Sequence, residues 1–90
     1  MESYLESKFS QAVRQARGWA IKMPTPFITG LPDRLCLMPG GVCFFVELKA
    51  AGKKPKKIQI YVHKRLRKLG FQVFVIDNVN QFAECFQKTS

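Results

Sequence analysis

The sequence predicts one α/β domain over residues 1–90, with a mixed central sheet flanked by helices in the order α-β-β-β-α-β-α. Three observations lead to this prediction. Two segments carry apolar residues at helical spacing, two strand-like runs flank the turn-forming tripeptide Pro39-Gly40-Gly41, and a further strand-like run follows the second helix. A strand that is reached from a hairpin through a helix runs parallel to its neighbour, so the sheet combines antiparallel and parallel pairs.

The first helix is predicted over residues 2–17, because apolar residues recur three and four positions apart and a glycine follows them. Residues 19–23 predict a short strand that prolines end, and we expect Trp19 in the core. Residues 25–32 are then a loop. The apolar residues of the helix and its stop are Leu5, Phe9, Ala12, Val13, Ala16 and Gly18.

A β-hairpin is predicted from residues 33–38 and 42–50, because the tripeptide between them favours a turn. A loop of three residues pairs Met38 with Val42 and fixes the register of the other pairs, whereas a loop of two residues would shift every pair by one. The second run is apolar on both faces, which is typical of a central strand that is covered on both sides.

A basic helix follows the hairpin and ends at Gly70. Residues 71–77 predict the fourth strand, parallel to the second hairpin strand, and the apolar spacing of residues 79–86 predicts a short final helix. The apolar positions of the basic helix are Ile58, Val62, Leu66 and Leu69.

The net charge of +9 is concentrated in one part of the chain. No acid lies between Leu48 and Ile76, and this interval attracts polyanions, of which nucleic acid is the usual one. A solvated face without a partner is the alternative, although such faces normally mix both signs of charge. The cations of the interval are Lys49, Lys53, Lys54, Lys56, Lys57, Lys64, Arg65, Arg67 and Lys68.

Composition excludes several classes of protein. A hydrophobic content of 47% excludes a disordered basic tail. No run approaches the ~20 apolar residues of a membrane span, and the first residues are acidic rather than basic, so we expect a cytoplasmic protein without membrane contact. The spacing of Cys36, Cys43 and Cys85 matches neither a disulfide framework nor a zinc site, and it predicts reduced, buried thiols.

The hairpin register would place two carboxylates, Asp33 and Glu47, opposite each other at the end of an apolar face, with their Cβ atoms about 4.5–5.5 Å apart. A divalent cation, the ammonium of Lys49 on the same face, or protonation of one carboxylate would compensate the repulsion. Mg²⁺ suits this pair because one or two protein carboxylates commonly bind it, while water and phosphate oxygens complete its coordination shell. Metal-assisted phosphodiester hydrolysis follows, unless Lys49 only forms a surface salt bridge.

Three segments occur in order along the chain: Gly30-Leu31-Pro32-Asp33-Arg34, Phe45-Val46-Glu47-Leu48-Lys49, and Gln59 in the basic helix. Together they resemble the PD-(D/E)-x-K nuclease pattern, and most closely the stand-alone VRR-NUC domains of phages and bacteria, over nearly the whole chain. The resemblance implies a restriction-endonuclease-like core.

The resemblance also implies the roles of the site residues. Asp33, Glu47 and the carbonyl of Leu48 would bind Mg²⁺, with Mn²⁺ as a substitute, and Lys49 would be the catalytic lysine. Gln59 would be the glutamine that the family carries on the helix after this strand. The family places a glutamate on the first helix, and Glu6 fits this metal-binding position better than Glu2 because it shares a helical face with Phe9 and Val13.

Further residues are candidates for contacts with nucleic acid. A stripe on the basic helix would follow the phosphates, with Tyr61 either stacking on a base or covering the edge of the core. Lys22 matches a basic position of the family or is a solvated strand end. His63 lies four residues after Gln59 and so shares its helical face, which would place the histidine at the rim of the site; the alternative, more typical of a lone histidine, is a helix-surface or half-buried position. The candidates are Lys22, Arg34, Lys53, Lys54, Lys56, Lys57, Tyr61, Lys64 and Lys68.

The residues predict metal-dependent phosphodiester hydrolysis, and the resemblance implies a structure-selective endonuclease for branched DNA, of the type that resolves Holliday junctions. The resemblance implies a homodimer, with an interface at the proline loop around Phe27-Ile28 or at the final helix with Phe82 and Phe86. The alternatives are a non-catalytic nucleic-acid-binding module whose acids are structural, and a module that binds an acidic protein.

Overall fold

The computed structural model describes residues 3–24 and 28–89 and has the predicted order of elements. Glu2 and residues 25–27 lie outside the described residues. The first helix and the four strands are somewhat shorter than predicted, and the final helix begins and ends three residues later than predicted. The elements are α1 (Tyr4–Gln15), β1 (Trp19–Lys22), β2 (Arg34–Met38), β3 (Val42–Leu48), α2 (Lys57–Lys68), β4 (Val73–Ile76) and α3 (Phe82–Thr89), with 3₁₀ turns at Pro39–Gly41 and Val79–Gln81.

The sheet has the strand order β1-β2-β3-β4. The β1/β2 and β2/β3 pairs are antiparallel and the β3/β4 pair is parallel, which confirms the mixed sheet. β3 is an inner strand, as its apolar character on both faces predicted. The fourth strand begins two residues later than predicted because the Phe71 N–H donates to the Leu66 carbonyl at 3.1 Å and so closes the end of α2.

The hairpin has the predicted register: Met38 pairs with Val42, and the pairs continue to Arg34 with Val46. Pro39 begins the 3₁₀ turn. Gly40 follows with a φ of 82°, a backbone angle that residues other than glycine rarely adopt. The next step of this register places Asp33 opposite Glu47.

The main core lies between one face of the sheet and two helices. Even-numbered residues of β3 point to this face, where Phe44 and Val46 are buried. α1 contributes Phe9 and α3 contributes Cys85, while the Phe9 and Phe82 rings meet edge to face at 5.2 Å. The odd-numbered residues of β3 point to the opposite face, where α2 packs.

Two predictions about single residues have different outcomes. Cys36 and Cys85 are buried, Cys43 is half-buried, and none of the three is part of a disulfide. The prediction for Trp19 is wrong, because this side chain is 65% exposed. Trp19 lies on edge strand β1 opposite Leu37, which is itself exposed. Neighbouring side chains of the sheet therefore do not cover the Trp19 ring. Within residues 3–24 and 28–89, the helices are too short or too polar to cross a membrane.

Gly30 allows the loop before β2 to approach α2 closely. A Cβ atom at this position would lie 2.7 Å from the Ile58 carbonyl oxygen and 2.9 Å from Cγ2 of Val62, and the φ of Gly30 is 96°. The contact matters for the site because the loop leads into Asp33, while α2 carries Gln59.

We predict that Gly30→Ala destabilises the protein more than Gly52→Ala. Both glycines have positive φ, which costs about 1–2 kcal/mol for alanine, but only Gly30 is crowded, which adds about 1–3 kcal/mol. The free energy of unfolding in urea measures the difference. Equal destabilisation by the two substitutions would contradict the close packing of this loop on α2.

Candidate active site

Asp33 and Glu47 come together at one end of the hairpin. Asp33 Oδ2 accepts a hydrogen bond of 2.8 Å from the backbone N–H of Leu48, the residue after Glu47. The Asp33 carbonyl accepts another, also of 2.8 Å, from the N–H of Met23. The backbone of the two neighbouring strands therefore fixes Asp33 beside Glu47.

The carboxylate of Glu47 is buried, with a side-chain exposure of 2%. Its Oε2 atom accepts a hydrogen bond from Nε2 of Gln59 at 3.1 Å and lies 3.3 Å from Nζ of Lys49. The predicted ion pair of Lys49 therefore forms, but it lies inside the protein rather than at the surface. The other oxygen, Oε1, has no hydrogen-bond partner and lies 3.8 Å from Nε2 of His63.

Gln59 connects the start of α2 to the site. Its Oε1 atom accepts hydrogen bonds from the backbone N–H of Lys56 at 2.8 Å and from Nζ of Lys49 at 2.9 Å. Its Nε2 atom donates to Glu47. One amide thus caps the first turn of the helix and orients both the lysine and the buried carboxylate, which brings Glu47, Lys49 and Gln59 together as predicted.

Electrostatics around Glu47 favour a bound cation. Burial and, next, the negative charge of Asp33 raise the pKa of Glu47 to about 7, against the opposing effect of the Lys49 ammonium. Burial also lowers the pKa of His63, and the positive charges of Arg67 and Lys49 lower it further. The imidazole is therefore neutral at neutral pH and adds no positive charge beside Asp33 and Glu47. The Lys49 ammonium alone does not balance the two carboxylates.

Glu6 lies in a different environment from the one predicted. Its Oε2 atom pairs with Nη2 of Arg34 at 2.7 Å, and its Oε1 atom accepts from the N–H of Ser3 in the capping box of α1. The Arg34 side chain is 4% exposed and also donates to the Asp33 carbonyl. The pair with Arg34 is the main reason that the pKa of Glu6 is lowered.

This pair changes two expectations. Arg34 is buried and bound to Glu6, so its guanidinium does not face solvent as a contact to DNA would require. Glu6 does not join Asp33 and Glu47: the described residues contain no group of three or more His, Cys, Asp or Glu placed to hold a metal. The sequence did contain a sign that Arg34 is buried. Arg34 lies two residues before the core residue Cys36 on β2, so the two side chains point to the same face of the sheet.

Two clefts border the row formed by Asp33, Glu47, Lys49 and Gln59. A cleft of about 470 Å³ lies beside Lys49 and is lined by Ser3–Glu6, Leu48–Ala51 and Asp77. Another, of about 190 Å³, is lined in part by Asp33 and Gln59. Glu6 therefore borders the same cleft as Lys49, although it does not pair with the other acids.

The donor set fits a hard divalent cation. Asp33 and Glu47 are neighbouring carboxylates, and Glu47 carries a buried oxygen without a hydrogen bond. Mg²⁺ binds through one or two protein carboxylates and completes its shell with waters and substrate phosphates. Asp33 and Glu47 would hold the ion, and the carbonyl of Leu48 lies next in the chain as a further ligand.

The remaining basic candidates lie at the surface. Tyr61 is 58% exposed, so of its two predicted roles the structure favours contact with a base over cover for the core edge. The exposed lysines of α2 lie at the start and on the outer face of this helix, which also carries Gln59. The exposed cations are Lys22, Lys53, Lys54, Lys56, Lys57, Lys64 and Lys68.

Of the two positions that the sequence left open for His63, the structure favours the one at the site. The side chain is 2% exposed and faces Glu47, so it is neither on the helix surface nor half-buried. The spacing of four residues from Gln59 was the available signal, because residues four apart share a helical face.

Comparison with known proteins gives two findings. A protein named "Putative nuclease p44", from Acyrthosiphon pisum secondary endosymbiont phage 1, is 43% identical over 77 residues, covering 86% of this chain and 83% of that protein. A solved structure described as a VRR_NUC domain has a TM-score of 0.80 and 31% identity, covering 90% of this chain and 89% of that chain. No family model matches the sequence.

The raised pKa of Glu47 predicts a pH-dependent stability of the metal-free protein. Because the folded pKa of about 7 exceeds the ordinary value of 4.5, the contribution of Glu47 is fully present below about pH 4.5 and is lost as the pH rises through about 7. Relative to Glu47→Gln, the wild type should therefore lose melting temperature between about pH 5 and 8 in EDTA.

Glu84→Gln is the matched control, since Glu84 is an exposed acid on α3. Its melting temperature should follow the wild type at every pH. A difference between wild type and Glu47→Gln that does not change with pH would contradict the raised pKa.

Proposed function

The chain belongs to the VRR-NUC family of nucleases, and we propose that it is a metal-dependent endonuclease that hydrolyses phosphodiester bonds in branched DNA. One observation carries the proposal: a buried carboxylate, Glu47, lies beside a second carboxylate and is held by a lysine and a glutamine. Burying a carboxylate is costly, and a structural acid is more readily accommodated at the surface. A site for a cation accounts for this arrangement.

The residues divide the chemistry as follows. Asp33 and Glu47 would hold Mg²⁺ or Mn²⁺, and a cation there would supply Lewis-acid polarisation of the phosphate and activation of the attacking water. Lys49 is fixed between Glu47 and Gln59 and directs its ammonium at the reacting phosphate, where it orients the attacking water or stabilises charge on the phosphate oxygens. The oxygen of water forms a new bond to phosphorus, the bond to one bridging oxygen breaks, and that oxygen leaves as a hydroxyl after taking a proton.

The outer face of α2 is the proposed track for the phosphate backbone. Lys57, Lys64 and Lys68 are exposed and follow helical spacing with Tyr61 between them. Lys53, Lys54 and Lys56 extend the positive surface toward Lys49, because they lie in the segment between β3 and α2. Lys22 is an exposed candidate on β1.

A homodimer that acts on four-way junctions is the proposed assembly, since two sites related by a two-fold axis suit symmetric incision. Of the two predicted interfaces, the final helix is less suitable, because Phe82 packs on Phe9 and Phe86 packs on Phe44. Phe27 lies outside the described residues, but Ile28 is 59% exposed. The proline loop is therefore the proposed interface. The proposed location is the cytoplasm of a bacterial or host cell, where the protein would meet DNA.

We predict that purified protein nicks a synthetic four-way junction in Mg²⁺ or Mn²⁺ and not in EDTA. Asp33→Asn, Glu47→Gln and Lys49→Met should each lower the nicking rate by about 10²–10³-fold or more, because the first two weaken the metal site and the third removes the ammonium that acts on the reacting phosphate. Binding to the junction, measured in EDTA by a mobility shift, should persist.

The exposed acid Glu84 supplies the control, and Glu84→Gln should cut at the wild-type rate. Full activity in EDTA would exclude metal-assisted hydrolysis. Tight binding in Mg²⁺ without cutting of junctions, flaps or forks would instead identify a non-catalytic nucleic-acid-binding module.

The α2 track predicts a change in the salt dependence of DNA binding. The double variant Lys57→Glu/Lys64→Glu should bind more weakly, and its log–log slope against salt should flatten by about 0.9 for each duplex phosphate that it no longer neutralises. Lys8→Glu/Arg14→Glu makes the same change in net charge on α1 and should retain the wild-type slope. Equal slopes in the two double variants would exclude α2 as the track.

A further inference from the structure

α2 presents two side chains to the two oxygens of one buried carboxylate. Gln59 Nε2 donates to Oε2 of Glu47 at 3.1 Å, and His63 Nε2 faces Oε1 at 3.8 Å. The two residues lie four positions apart and so share one face of the helix. The helix that supplies the family's glutamine therefore also directs a histidine at the same carboxylate.

The pair formed by His63 and Glu47 is incomplete in the structure. Glu47 Oε1 and His63 Nε2 are both buried, and neither has a hydrogen-bond partner. Buried polar atoms are normally paired, and these two face each other across a gap that exceeds hydrogen-bond length by about 0.6–1.1 Å. A small movement of one side chain would satisfy both atoms at once.

The chemistry of the imidazole suits such a contact. A neutral imidazole carries one N–H. With that hydrogen on Nε2, the ring donates to the carboxylate. A carboxylate accepts at four lone-pair sites, so contacts from Gln59, Lys49 and His63 leave room for a cation.

We propose that His63 is a positioning residue, which donates Nε2–H to Oε1 of Glu47 and holds the carboxylate in the orientation that binds a divalent cation together with Asp33. This inference rests on the proposed function. Without His63, only Oε2 is held by side-chain contacts. Oε1 then has no hydrogen bond, and the carboxylate is freer to rotate about the Cγ–Cδ bond of Glu47. Loss of a residue that orients a ligand typically lowers metal affinity by about 10–100-fold.

The test is Mn²⁺ binding by the DNA-free protein, followed by electron paramagnetic resonance, with the melting temperature as a check on folding. His63→Leu should weaken the Mn²⁺ Kd by about 10–100-fold. His63→Gln, whose amide nitrogen lies near the position of Nε2, should restore most of the affinity. Ile60→Ala, at an exposed position of α2, is the matched control and should bind like the wild type.

Each outcome decides between explanations. A folded His63→Leu protein that binds Mn²⁺ as tightly as the wild type overturns the inference and leaves the proposed function intact. A wild type that binds no Mn²⁺ overturns both. If His63→Leu does not fold, His63→Gln is compared with His63→Asn, whose shorter side chain reaches only the position of Nδ1. Tighter binding by the Gln variant supports the inference, and equal binding overturns it.

Discussion

The buried charge of Glu47 is the constraint on which the site depends. A carboxylate with 2% exposure is costly to bury unless charge and hydrogen bonds compensate it. Lys49 and Gln59 compensate it at Oε2, while Asp33 adds a second negative charge beside it. The compensation is incomplete, and a divalent cation between the two carboxylates would complete it.

The surrounding fold serves this constraint. The three-residue loop of the hairpin sets the register that brings Asp33 to Glu47, and Gly30 lets the preceding loop lie close against α2. The side chain of Gln59 caps α2 and holds Lys49, so helix formation and assembly of the site are coupled. The same helix exposes lysines on its outer face, which allows one element to hold the carboxylate and attract phosphates.

The sequence predicted those features that depend on local patterns. Turn length fixed the hairpin register, helical spacing located α2, and the family resemblance identified Gln59. Features that depend on distant packing were missed: Glu6 and Arg34 pair across 28 positions, and although the position of Arg34 two residues from Cys36 indicates the face on which it lies, it does not specify Glu6 as the partner. Trp19 was misplaced because hydrophobicity does not distinguish an edge strand from an inner one, and the position of His63 was left open because helical spacing does not give burial.

A crystal structure of the protein grown with Mn²⁺, with data collected at the manganese absorption edge, tests the central claim most directly. We expect an anomalous peak within coordination distance of both the Asp33 and the Glu47 carboxylates. Mn²⁺ bound elsewhere in a well-ordered crystal, with no peak between these two carboxylates, would contradict the claim.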